Sequence, residues 1–497
     1  MFLDISKAFD KVWHEGLLFK LKQNGIEGKL LTLLSSYLTN RKQRVVLNGN
    51  CSDWKYIESG VPQGSVLSPL LFLIDINDLE RDIISKIKFF ADDTMLYSIV
   101  HDEYVSAYEL NHDLELIRNW AYQWKMSFNP DPNKQAVELI FSQKKKIPDH
   151  PPLFFNGVRV EAVENHKHLG LILDSKINFN LHVNEKIAIA RKGIGIIRYL
   201  SSFTPTKTLD QIYKMFVRPH LDYCDVIYHT PHSINPFDNT INLTSHMENV
   251  ERVQYQAALA ITGCWQGTNR NKLYDELGWE SLSDRRWSRR LVLFYKVFWY
   301  NSPSYLYQHI PHQRIPIYGR RSPTIFHEIK CRTSKYMHSF FPSCVKSWNN
   351  ISNDIRNSVS LCKFKSNLFS LIRPPRKSTF NIHDPIGIKN IFRLRLGLSK
   401  LKSHKKRHNF LDTPRDTCDC NLAPEDTVHY FLNCPTFTFC RHSLVNTVLH
   451  IISKYNLAHL IDNVYIYLYG HSNISASDNR HILLATIKYI NETGRFL

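Results

Sequence analysis

Two groups of residues in this 497-residue chain have the types and spacing to do chemistry. The first is the pair Asp92 and Asp93 in KIKFFADDTMLYSIV, where apolar runs Ile87 to Ala91 and Met95 to Val100 flank two adjacent carboxylates. Acids in so apolar a setting are costly to desolvate unless something cationic meets them. A solvated Asp-Asp turn is the other reading, because aspartate favours turns for its own reasons. The second group is Cys418, Cys420, His429 and Cys434, in CDCNLAPEDTVHYFLNC. Three thiolates and an imidazole are the donor set of a tetrahedral structural zinc site, and no open position for catalysis is implied. The C-x-C spacing is tighter than the usual one and strains a shared tetrahedron, which leaves buried, reduced cysteines as the competing reading. Cys440 has no assignment.

The elements that must position the acids can be read from periodicity. The acidic pair sits between two strand-like runs and reads as a β-hairpin whose turn presents both carboxylates. The opening residues give a short strand, Phe2 to Ile5, with Asp4 at its end, then a helix with apolar positions Phe9, Val12, Leu17, Leu18 and Leu21. Asp10 lies in the turn that opens this helix, where an acid is favoured by the helix dipole. A second helix, Lys29 to Leu38, leads to a hairpin turning near Asn48 to Asn50. GVPQGSVLSPLLF then supplies a loop opening a strongly apolar helix; Gly60 and Gly64 bracket Pro62 and Gln63 and predict close backbone approach, while a helix simply capped by Ser65 is the bland alternative. Further on come a helix carrying Leu110, Leu114, Ile117, Trp120 and Trp124, a strand from Ala136 to Phe141, and a hairpin at Asn156-Gly157. HKHLGLILD predicts a buried strand, Leu169 to Leu173, with His166 and His168 exposed.

FLDISKAFDKV, GVPQGSVLSPLLF and FADD, in that order, resemble three successive palm motifs of reverse transcriptases, specifically those of non-LTR retrotransposons of the jockey, CR1 and L2 kind. The resemblance implies an α+β fold: a partial right-hand polymerase palm, an antiparallel sheet with packed helices, followed by an α-helical thumb and a helix-rich C-terminal region with a zinc-knuckle-like site. The implied divisions are the palm over 1–175, the thumb over 176–300, a basic connector over 301–410, the Cys/His segment over 411–445 and a helical tail over 446–497. It also implies RNA-directed DNA synthesis: nucleotides are added to a DNA primer on an RNA template by phosphoryl transfer with two Mg²⁺ (or Mn²⁺) ions. Asp4 and Asp92 match the bridging metal ligands, with Asp93 beside them. Phe9 matches the aromatic that blocks the sugar 2′-hydroxyl and so selects deoxynucleoside triphosphates. Gln63 and Gly64 match the loop touching the incoming nucleotide and template. Lys134 matches a proposed proton donor to pyrophosphate, with a solvated loop lysine as its alternative. His166 to Asp174 resembles the primer grip, and Asp10 is structural by the same comparison.

Composition agrees with a nucleic-acid partner. Lys and Arg exceed Asp and Glu by 18, and the pI is about 9.3. Basic residues such as Lys186, Arg191, Lys192 and Arg198 lie opposite the apolar face of a helix from about residue 180, where a phosphate-contacting surface and a solvated face compete as readings. Lys400 to His408 and the stretches RRSP and RPPRKS are basic as well. With 43% hydrophobic residues the chain can build sizeable cores. It has no window of about 18 uncharged apolar residues and no signal peptide, so an intracellular protein is expected, in nucleus and cytoplasm as a ribonucleoprotein, with no membrane partner. Met1 lies about three residues before the first acid, so the fingers and an N-terminal endonuclease are expected to be missing. The rival to a polymerase is therefore a catalytically inactive, truncated relic or an RNA-binding module.

Overall fold

The computed structural model describes residues 1–131, 134–145, 150–229, 245–313, 325–374 and 382–496; RRSP and most of RPPRKS fall outside them. The chain divides into two compact units, Met1–His182 and Val183–Leu497.

The first unit is built on a five-stranded sheet whose strands lie in the order 161–162, 136–138, 2–4, 93–97 and 86–90. Its centre is β1 (Phe2–Asp4), whose Phe2 and Leu3 are both buried, as expected of a strand covered on both faces. After β1 the chain makes a short helix α1 (Ala8–Lys11) and a longer α2 (His14–Gln23). The sequence predicts one helix here, but Val12 adopts extended backbone, ψ 122°, and breaks it. Helix α3 (Gly28–Leu38) leads into four two-residue strands, β2 (Lys42–Gln43), β3 (Val46–Leu47), β4 (Asn50–Cys51) and β5 (Lys55–Tyr56). These form a ribbon with Asn48-Gly49 at its tip, β3 on β4 and β2 on β5, where the sequence places a hairpin. Helix α4 (Ser68–Ile76) starts beyond Ser65, which does not cap it.

Strands β6 (Lys86–Phe90) and β7 (Asp93–Tyr97) are the expected acidic hairpin, with one correction. The turn is the two-residue Ala91-Asp92, Ala91 at φ 53°, so Asp93 is not in the turn but is the first residue of β7, paired with Phe90. The setting is also wetter than the apolar runs imply: β6 is an edge strand, Phe90 is 67% exposed, and both acids are exposed. Helix α5 (Glu103–Gln123) buries Leu110, Leu114 and Ile117 in the main core, with Trp120 half-buried beside them. Strand β8 (Ala136–Glu138) stops earlier than predicted, and β9 (Phe154–Phe155) with β10 (Val158–Arg159) turn at Asn156-Gly157 as expected. Strand β11 (Glu161–Ala162) pairs with β8 in parallel, so the sheet is antiparallel apart from this edge.

The unit closes with a hairpin, β12 (Asn165–His168) and β13 (Leu171–Asp174). Leu169 and Gly170 form its turn with positive φ, so Leu169 is exposed and the predicted buried strand is shorter. His166 and His168 are half-buried, not exposed, because both rings pack on Phe2, at centroid distances of 4.3 and 5.0 Å.

Helix α6 (Asn180–Leu200) starts as the first unit ends. Val183, Ile187, Ala190, Ile194 and Ile197 make its buried stripe, whereas Arg191, Lys192 and Arg198 are exposed; Lys186 is half-buried with its ammonium 5.1 Å from the Tyr223 ring centroid. The described remainder of the second unit is mostly helical. One core gathers Phe294, Tyr295, Phe326 and Phe364 around Trp348. Among the described residues no helix is long and apolar enough to cross a membrane.

Candidate functional site

The antiparallel register of β1 and β7 sets Asp4 directly opposite Asp93. Directly opposed residues have Cα atoms about 4.5–5.5 Å apart, so the two carboxylates lie on one face of the sheet at the ends of two neighbouring strands, and Asp92 stands beside them on the turn. Asn129 donates its side-chain amide to Asp4 Oδ2 at 2.7 Å, and backbone bonds run from Asn129 N to Asp4 O (2.9 Å) and from Asp4 N to Gln135 O (3.0 Å). Asn129 was invisible to sequence periodicity because it reaches Asp4 across 125 residues; its one local signal is the Asn-Pro turn it opens.

Partial burial pushes the Asp93 carboxyl above the ordinary carboxylate range; nearby His168 opposes this, and Asp92 and Asp4 add to it. Asp4, Asp93 and Lys134 line one cavity of about 400 Å³ with Phe2, His166 and His168. Lys134 is 70% exposed there and ion-paired with Asp131 at 3.1 Å. The cavity carries the carboxylates of Asp4 and Asp93, and the two lysines that line it among the described residues, Lys134 and Lys167, are both exposed; carboxylate oxygens are a hard donor set that fits Mg²⁺. The three carboxylates do not converge on one point as the Cys/His group does: among the described residues that group is the one set of three or more such donors drawn tightly together.

The Gln63 loop is organised separately. Gly60, at φ 92°, lies so close to α1 that a Cβ would sit 2.7 Å from the Asp10 carbonyl oxygen. Gln63 donates from Nε2 to Asp10 Oδ1 at 3.1 Å and Ser59 Oγ donates to Asp10 O at 3.0 Å, which gives Asp10 a structural role. Gly64 needs its positive φ of 83° but has open space around it, so close approach holds for Gly60 alone. Gln63 and Asp10 line a second cavity, about 590 Å³, and not the one at the acids. Phe9 is half-buried, stacked on Phe72 at 4.6 Å; neither Phe9 nor Asp92 lines either cavity.

In the second unit Cys418, Cys420, His429 and Cys434 offer ligand atoms all within 4.8 Å of one another. Cys418 Sγ is 3.6 Å from Cys434 Sγ, and Cys420 Sγ is 3.2 Å from His429 Nε2. Burial pushes the Cys418 thiol up to about 12, while the Leu422 backbone amide helps hold Cys420 below its ordinary value. The tight C-x-C spacing is accommodated because the chain doubles back at once: Cys418 N donates to Ala423 O at 2.9 Å, and Thr417 bridges to Pro424.

Comparison with known proteins finds relatives for part of the chain, including Asp4, Asp92 and Asp93. The family described as reverse transcriptase (RNA-dependent DNA polymerase) matches residues 1–173. The chain is 32% identical over 240 residues to the RNA-directed DNA polymerase from mobile element jockey of Drosophila funebris, covering 46% of this chain and 25% of that protein. It is 29% identical over 272 residues to the probable RNA-directed DNA polymerase from transposon X-element of Drosophila melanogaster, covering 53% of this chain and 28% of the relative. To the polymerase from transposon BS of the same fly it is 28% identical over 217 residues, 42% of this chain and 24% of the relative. The chain therefore spans about a quarter of the length of these curated relatives. Residues 1–173 are thus similar to reverse transcriptases, and the curated relatives that share this similarity are RNA-directed DNA polymerases of mobile elements.

Proposed function

We propose that this chain is an RNA-directed DNA polymerase, extending a DNA primer with deoxynucleoside triphosphates on an RNA template inside the cell, in nucleus and cytoplasm as a ribonucleoprotein. The observation that carries the reading is Asp4 facing Asp93, with Asp92 adjacent, within residues that match the reverse transcriptase family. On this reading the sheet with its helices is a polymerase palm and Asp4, Asp92 and Asp93 hold Mg²⁺. Bound there, two divalent ions stabilise the attacking and leaving oxygens of the phosphoryl transfer. Asn129 fixes the Asp4 carboxylate so that one oxygen remains directed outward. Lys134, on the rim of the same cavity, is placed to give a proton to pyrophosphate once it leaves Asp131. Phe9, held by its stacking on Phe72, blocks the sugar 2′-hydroxyl, and Gln63 and Gly64 touch the incoming nucleotide and the template. The basic face of α6 acts as a thumb surface along the duplex. Cys418, Cys420, His429 and Cys434 hold one structural Zn²⁺ in a knuckle-like fold: their ligand atoms all lie within 4.8 Å of one another, and the Cys418–Cys434 and Cys420–His429 spacings, 3.6 and 3.2 Å, come within a few tenths of an ångström of a tetrahedral Zn site, about 3.8 Å between sulfurs and 3.6 Å from sulfur to nitrogen.

Primer extension tests the reading. The chain, given an RNA template, a DNA primer, deoxynucleoside triphosphates and Mg²⁺, is expected to extend the primer, and Asp92→Asn to abolish extension. No extension by the unsubstituted chain, or undiminished extension by Asp92→Asn, would overturn it.

A further inference from the structure

The ribbon β2–β5 has no core to belong to. Every residue from 42 to 56 is exposed, including Trp54 at 58% and Tyr56 at 66%. A two-stranded ribbon on its own is marginal in water, so large rings kept on its surface point to something that covers them. Lys42 and Tyr56 are direct cross-strand partners, and the ammonium of Lys42 lies 4.5 Å from the Tyr56 ring centroid. One step toward the tip and on the same face, the Arg44 guanidinium lies 4.6 Å from the Trp54 ring centroid. Residues 41–58 carry four cations, Arg41, Lys42, Arg44 and Lys55, against two acids, Asp53 and Glu58.

We infer that this face binds single-stranded RNA, its bases stacking on Trp54 and Tyr56 and on the guanidinium plane of Arg44, its phosphates meeting Lys42 and Arg44. Rings and guanidinium planes are the surfaces on which unpaired bases stack, and alternating them with cations suits a strand that offers both bases and phosphates. A protein partner for an apolar strip would not call for a cation over each ring. The ribbon also runs on into the loop cavity: Arg41, Lys42 and Gln43 line it from the ribbon side, Gly60, Pro62 and Gln63 from the loop side. A strand lying along the ribbon is thereby delivered to the Gln63 loop. The assignment rests on the polymerase reading for the strand's identity as template, but not for its binding.

Fluorescence anisotropy with a short labelled single-stranded RNA and with the same sequence as an RNA duplex tests the inference on the full chain, without nucleotides. Trp54→Ala and Tyr56→Ala are each expected to weaken single-strand binding about ten-fold while leaving duplex binding within about two-fold, and Trp54→Phe to restore most of the loss. Arg44→Ala should also flatten the dependence of log affinity on log salt by roughly one phosphate contact. Unchanged single-strand affinity overturns the inference. So does an equal loss on duplex, which would mean charge alone, or a change of oligomeric state in Trp54→Ala, which would mean a second copy covers the face. Ring-dependent binding by a chain that extends no primer defeats the polymerase reading and leaves this one standing; primer extension with ring-independent binding does the reverse.

Discussion

Replacing Cys420 by serine separates a zinc site from a nest of reduced thiols. Cys420 is half-buried, whereas Cys418 and Cys434 are buried, so the substitution removes one ligand with little loss of packing. Structural zinc with four ligands is bound with an apparent free energy of about 10–16 kcal/mol, so losing one ligand should cost roughly a quarter of that, ~3 kcal/mol or about a hundred-fold in affinity. The loss should spread to the fold. His429 opens the segment His429–Asn433, which sends Tyr430 against Tyr489 and Phe496, and Phe431 against Tyr467. With free zinc at about 1,000 times its dissociation constant, metal binding adds ~4 kcal/mol to the stability of whatever it holds together. Metal analysis after dialysis should therefore find one zinc per chain. Chelation should lower the urea midpoint of the second unit, and Cys420→Ser should retain substoichiometric metal and resemble the chelated protein. A Co²⁺-loaded sample should show thiolate-to-metal absorption that the variant lacks. Zinc-free protein with the same urea midpoint in chelator and in the variant would refute the reasoning and leave reduced, packed cysteines.

Three further outcomes follow from the geometry. Gly60→Ala should destabilise the first unit by about 2–3 kcal/mol in urea, because positive φ and the Asp10 carbonyl both oppose a Cβ, whereas Gly64→Ala should cost only about 1; the opposite order would contradict the loop's packing. Burial pushes His404 from 6.5 down to about 4, between Ser399 Oγ (2.8 Å) and Thr427 Oγ1 (3.3 Å), so its stabilising neutral form is favoured above pH 6.5. As pH falls from there toward 4 the unfolded chain takes up the proton first, and stability should fall by about 1.4 kcal/mol per unit, ~3 in all; His404→Gln should lose this slope, and an identical pH profile would refute it. Phe9→Ala should cost about 2 kcal/mol through its lost stacking on Phe72 and raise ribonucleotide incorporation in primer extension; unaltered sugar preference would remove Phe9 from the site.

Much of the candidate site could be read from the chain because it is local. The acidic hairpin, the strand ending in Asp4 and the glycine loop each follow from turn chemistry or alternation within about ten residues. The register that sets Asp4 against Asp93 was not legible, since it pairs β1 with β7, two strands far apart in the chain that no turn connects. Nor was exposure: β6 reads as apolar, yet it lies at the sheet edge, where one face stays wet. His166 and His168 look like surface residues in sequence, and only the tertiary position of Phe2 buries them. The Cys/His group was legible in donor type, but its convergence needed the reversal at Ala423, which C-x-C spacing alone argues against.

The central claim, that Asp4, Asp92 and Asp93 hold the divalent cation of a polymerase, is tested most directly by putting Fe²⁺ in place of Mg²⁺ and mapping where ascorbate and peroxide cut the backbone. The predicted cuts cluster at residue 4, at 92–93 and beside Asn129, fade as Mg²⁺ is added in excess, and vanish in Asp4→Asn and Asp92→Asn. Cuts that spare these positions, or that persist unchanged in both variants, would contradict the account.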